Sequence, residues 1–233
     1  MVTHPQTSDS GLPTADEADR ATGHAPPLAF LILGQLRAHA PFTLFGTLTG
    51  ITILVTLVSA QAPAWLSQRL FWGTHPLHVL LSALVTTAMF TVNSRRSLGL
   101  TIVIGYLGSV GIATLSDCVI PYVAEILMDL PNRGIHLGFI EKWWLVNPLA
   151  AAGILVGYLW PHTKITHAGH VLLSTWASLF HMTMAMGGQF GVLHYAATAL
   201  FLFLAVWIPC CTSDIVFPLL FATSLTARGS RVA

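Results

Sequence analysis

Charge is what this chain has least of. Only 8% of its 233 residues are Asp, Glu, Lys or Arg, against roughly 25% in a soluble globular domain. Six of the nineteen charges fall in the first 40 residues, leaving thirteen for the other 193. That is too few to cover a water-exposed surface, so a soluble globular enzyme is excluded. A hydrophobic content of 54% excludes disorder over most of the chain. Ten basic against nine acidic residues leave a net charge of +1 and no basic balance to draw nucleic acid. Three cysteines, Cys118, Cys210 and Cys211, two of them adjacent, provide no disulfide framework. GxSxG, HExxH, Walker and dinucleotide motifs are all missing.

The first 27 residues are polar, with Asp9, Asp16, Glu17 and Asp19 against Arg20 alone and no apolar core. They read as a disordered tail over 1–27 rather than a signal or transit peptide. Ala60-Gln61-Ala62 follows an apolar run in the manner of a cleavage site, but the long leader before it is abnormal for a signal region, and the run is kept as a spanning helix.

What the chain has in abundance is apolar runs. A spanning helix needs about 20 mainly apolar residues, and six runs qualify: 42–60, 76–93, 98–116, 143–160, 168–187 and 192–210. Residues 28–40 are too short to span and predict an interfacial helix. Two further apolar pieces, 118–130 and 215–226, carry Pro121 and Pro218 near their starts. Proline breaks the helical ladder, so each predicts a short surface-lying or re-entrant half-helix. The Lys and Arg bias near the span ends places both termini on the cytoplasmic side. Trp65, Trp72, Trp143, Trp144 and Trp160 flank the runs as interface anchors.

A duplication is the most informative feature. Residues 74–82 read THPLHVLLS and residues 166–174 read THAGHVLLS, seven identities in nine at an offset of 92. Ser116-Asp117 with Pro121 recurs as Ser213-Asp214 with Pro218 at an offset of 97. The order is conserved within the chain, so the fold class expected is an all-α integral membrane protein of six transmembrane helices. These form two three-helix repeats, 41–130 and 143–226, each ending in its half-helix, joined by a loop at 131–142 and followed by a basic tail at 227–233. Three spans is odd, so the repeats are inverted, as in many secondary transporters.

His75, His78, Ser82 and Thr86 recur at spacings of three and four, as do His167, His170, Ser174 and Ser178. Such spacing puts each set on one helical face, with Thr74 and Thr166 suited to N-cap a helix start. Helix pairing is expected to unite His75, His78 and Asp117 on one side of the membrane and His167, His170 and Asp214 on the other. Cys118, Cys210 and Cys211 are possible additional ligands. Imidazole and carboxylate with optional thiol fit a transition metal such as zinc, and Ser82, Thr86, Ser116, Ser174, Ser178 and Ser213 predict a polar path. The bland alternative is inter-helix hydrogen bonding alone. His181 with Met182, Met184 and Met186 offers Cu(I) chemistry, although alternate methionines face different ways and ordinary packing suffices.

The function expected from this pattern is a multi-pass transporter or permease for a transition-metal ion or small solute. One alternative is a non-catalytic subunit of a larger membrane complex, or of a homo-oligomer, whose histidines bind a metal, haem or pigment. The other is a membrane-embedded metalloenzyme in which Glu125 is the obvious candidate base. The lipid bilayer is the one partner the composition demands.

Overall fold

The computed structural model describes residues 28–93, 97–161, 164–187 and 191–211. The polar tail, the half-helix at 215–226, the basic tail, Ser213 and Asp214 lie outside the described residues. Among those described, all regular structure is helical. The helices are α1 Leu28–Ser59, α2 Ala64–Asn93, α3 from Leu98 to Leu127, α4 Trp143–Leu159, α5 Lys164–Ala185 and α6 Val192–Cys211, with a single turn at Gly138–Glu141 before α4. Four of them contain stretches long and apolar enough to cross a membrane: His39–Ser59, Ala64–Val92, Leu98–Leu127 and Val192–Cys210.

Three boundaries differ from those the apolar runs predict. Residues 28–40 are continuous with the first span, and α1 runs through Pro41. Helix α2 starts at Ala64 and runs through Pro76, so Thr74 is no N-cap; its hydroxyl donates to the Leu70 carbonyl at 2.8 Å. The polar residues Ser67, Gln68 and Arg69 conceal this early start, because a long basic side chain at a span end snorkels to the interface without ending the helix. Helix α3 does not break before Pro121. Two wide π turns, Leu107–Gly111 and Leu115–Val119, interrupt its α-helical pattern, and Pro121 falls in the first turn of the α-segment that follows. The Ser116 carbonyl, five residues before this proline without an N–H, accepts instead from the Ser178 hydroxyl of α5 at 3.0 Å.

The bundle is inside-out relative to a soluble protein. Phe45, Leu48, Ile102 and Leu200 are exposed, while His75, His78, Ser116, Asp117, His170 and Ser174 are buried. Buried polar groups must then find partners within the bundle, since lipid offers none. Helices α2 and α5 form the centre and run antiparallel: Phe71 lies against His181 and His78 against His170. Each is flanked by a parallel helix that approaches closely through paired glycines. A side chain at Gly153 or Gly157 of α4 would collide with the Leu80 and Leu84 carbonyls of α2. One at Gly46 of α1 would meet the Thr175 hydroxyl of α5 at 2.8 Å, and Gly50 sits over Thr175 and Leu179. Small residues four apart allow this close backbone approach in membrane helices.

Turns seal the helix ends. Ala62 N–H donates to the Leu57 carbonyl at 2.9 Å and Gln61 N–H to Val58 at 3.1 Å, with Gln61 at φ 49°. Leu130, Asp129 and Glu125 repeat the pattern at the end of α3, with Asp129 at φ 52°. Both are Schellman closures, and the first accounts for Ala60-Gln61-Ala62 as the turn between α1 and α2.

Candidate metal centre

The site is built around Asp117. Its turn of α3 is a π turn, which fits an extra residue into each revolution and is frequent at functional sites. Consecutive residues Ser116, Asp117 and Cys118 are all buried there. His75 and His78, three apart on α2, donate from Nδ1 to the same oxygen, Asp117 Oδ2, at 2.9 and 2.7 Å. The other oxygen, Oδ1, accepts from the Ser116 hydroxyl at 2.7 Å and from Ser174 of α5 at 2.9 Å. Ser178, one turn further along α5, donates to the Ser116 carbonyl at 3.0 Å. A carboxylate offers about four acceptor positions, and here donors from three helices fill them.

This arrangement sets the chemistry of the histidines. An acceptor-only carboxylate requires both rings to carry hydrogen on Nδ1, which leaves Nε2 as the nitrogen each has to offer. Those of His75 and His78 are buried without a hydrogen-bond partner among the described residues. His75 stacks on Phe71 at 5.3 Å, and its Nε2 edge abuts Gly138, where any side chain would strike the ring. His78 stacks on His170 with centroids 5.5 Å apart and planes 6° from parallel. The end of α6 brings Cys210 to the same place, its Sγ 3.5 Å from the Ser174 hydroxyl.

One ligand atom from each of His78, His170 and Cys210 lies within 4.8 Å of the others, and all three side chains are buried. Zinc bond lengths of about 2.0–2.3 Å put tetrahedral ligands roughly 3.3–3.6 Å apart, so a contraction of about an ångström closes the triad on an ion. Two imidazoles and a thiol suit zinc and its softer neighbours and disfavour Mg²⁺ or Ca²⁺. Asp117 then stands behind His78 as the hydrogen-bonded carboxylate that fixes the tautomer and orientation of a ligating imidazole.

The residues singled out in the sequence thus fall into groups. His75, His78, Asp117, Ser116, Ser174 and Ser178 form one network with His170 stacked on it, rather than two sets at opposite faces. Cys118 is buried next to Asp117. Ser82 and Thr86 are fully buried on α2, with hydroxyls that lack a hydrogen-bond partner among the described residues. His167 and Cys211 lie in α5 and α6, but their side chains are outside the described set, as are Ser213 and Asp214.

A second cluster was not legible as a unit. Glu125 on α3 accepts from His181 Nδ1 of α5 at 2.8 Å and from the Gly134 N–H at 3.2 Å. The His181 ring is 5.5 Å from that of His136, which donates to Glu141 at 3.2 Å. Glu125 and His181 are 56 residues apart, so no local spacing joins them; an acid within an apolar stretch was the only signal. A cavity of about 390 Å³ between α1, α2 and α5, lined in part by Gln61, Ser67, Thr183 and Gly187, includes no member of either cluster.

The chain matches no family model, no curated protein and no solved structure.

Proposed function

We propose that the protein is a polytopic membrane carrier for a transition-metal ion of zinc-like softness, held midway through the bundle by His78, His170 and Cys210. The observation that carries this reading is the buried His78 ring, held by Asp117 through Nδ1, with an Nε2 that has no hydrogen-bond partner among the described residues, in a cluster that also holds an imidazole and a thiol. Inverted repeats with the ligand site at their interface are the usual architecture for alternating access. Several features support that arrangement here. His78 and His170 occupy corresponding positions of the duplicated segment, and they face one another across antiparallel helices. Ala83 and Thr175 also correspond, and each receives a close-packed glycine from a helix of the other half, Gly153 and Gly46 respectively. Rocking of the halves about this contact would alter access to the shared ion, with the Ser and Thr stripe of α2 as part of its path.

Metal analysis of the detergent-purified protein, paired with flux into proteoliposomes, tests the proposal. About one equivalent of metal and measurable uptake are expected, both lost in His78→Ala and His170→Ala. Uptake that persists in both variants overturns it. A second reading has its own support: all three side chains of the triad are buried. Stoichiometric metal retained through dialysis, without any flux, would favour a resident ion in a non-transporting membrane subunit.

A further inference from the structure

We propose that a groove at the start of α2 and α4 binds the phosphate of an anionic phospholipid headgroup. These helices run parallel, so their first turns lie at the same end of the bundle. There Gln68, Arg69, Trp72, Lys142 and Trp144 line an open groove of about 460 Å³. It contains two of the ten Lys and Arg residues in the chain.

Neither cation is neutralised by an acid among the described residues. The Arg69 guanidinium lies 4.8 Å above the Trp65 ring, and Lys142 Nζ lies 5.7 Å from Trp72 and 6.0 Å from Trp144. The acid nearest in sequence, Glu141, is engaged by the His136 ring at 3.2 Å and the Leu137 N–H at 3.1 Å. Cation–π contact holds a cation in place but leaves its charge intact. Two positive charges held about one groove attract an anion to it. Arginine and lysine both donate to phosphate oxygens, arginine in a planar fork and lysine as a point charge.

The surroundings select a lipid as the source of that phosphate. Trp65, Trp143 and Trp144 are exposed around the groove, and tryptophans of this kind sit at headgroup depth in a bilayer. A headgroup in the groove would leave its acyl chains along the exposed apolar faces of the bundle. The site is independent of any ion at the centre.

Native mass spectrometry of the purified full chain, titrated with phosphatidylglycerol or phosphatidylcholine, tests the proposal. The anionic lipid is expected to bind more tightly. Each cation removed, in Arg69→Gln or Lys142→Gln, should weaken it about fivefold, equivalent to about 1 kcal/mol per basic residue near an anionic surface. Lys142→Arg should retain binding. Equal affinity of the wild-type protein for the two lipids overturns the proposal whether or not the variants fold. So does inorganic phosphate that competes as effectively as the lipid, which would assign the groove to a free anion.

Discussion

Asp117 and Glu125 stand eight residues apart on α3, and each holds imidazole from another helix, but they are used differently. Asp117 accepts four side-chain hydrogen bonds, from α2, α3 and α5. Every acceptor position is taken, and the network ends at His78, whose ring lies in the cluster with His170 and Cys210. Glu125 accepts one imidazole and one backbone N–H, and its chain of contacts leads outward through His181 and His136 to Glu141, which is 40% exposed. The same pair of chemical groups thus closes a centre in one place and in the other links a core helix to the surface. The number of partners, more than burial alone, separates the two: both carboxylates are essentially inaccessible.

The largest expected effect is therefore at Asp117. Asp117→Ala strands four donors in the bundle, and removing one side of a buried charged network costs about 3–5 kcal/mol. Thermal unfolding in detergent should register it as the most destabilising change in the chain. Asp117→Asn keeps the shape but loses an acceptor, and an outer carboxylate of this kind is worth about 10–100-fold in metal affinity. Metal binding equal to wild type in Asp117→Asn would separate the aspartate from any ligand role of His78.

How far the sequence disclosed this centre depended on the scale of the signal. The spacings of His75 with His78 and of His170 with Ser174 sufficed to align them on helical faces, because helix periodicity is local. The meeting of His78 with His170 was hidden by helix length. A start near residue 76 puts His78 at a helix mouth; the actual start at Ala64 puts it at the middle of a 30-residue helix, level with the second copy. Likewise, proline at 121 reads as a break only if the preceding turns are regular, and the π turn of Leu115–Val119 has no reliable sequence signature. It is that turn which directs Ser116 and Asp117 inward together. The pairing of Glu125 with His181 is a purely tertiary contact and left no trace in the order of residues.

A change that reaches the first centre without touching its ligands sharpens the contrast. Gly138→Ala would drive a methyl group into the His75 ring, which Phe71 and Asp117 hold from two other sides. Overpacking of this kind costs about 1–3 kcal/mol, and proteolytic or thermal stability in detergent should fall accordingly. If stability is unchanged, His75 has freedom that its stacking against Phe71 does not indicate. Glu125→Gln is expected to cost somewhat less, about 1–2 kcal/mol, because the one amide oxygen can still accept from His181 or from Gly134, while the other of these two donors loses its acceptor. Its decisive readout is metal content, which should equal that of the wild type. A loss of metal in Glu125→Gln would merge the two clusters into one functional unit.

The smallest effect is expected at Glu141. Its carboxylate binds the His136 ring and the Leu137 N–H at a solvated position, where water can replace either partner and an exposed ion pair contributes about 0–1 kcal/mol. Glu141→Gln should therefore shift the unfolding midpoint by less than Glu125→Gln, and a double variant should show simple additivity, since sites without a shared partner add. Departure from additivity would mean that His136 and His181, in ring contact at 5.5 Å, transmit a constraint from the exposed acid to the buried one. The second cluster would then be a single network reaching the surface, and the difference in kind between it and the Asp117 centre would reduce to a difference in depth.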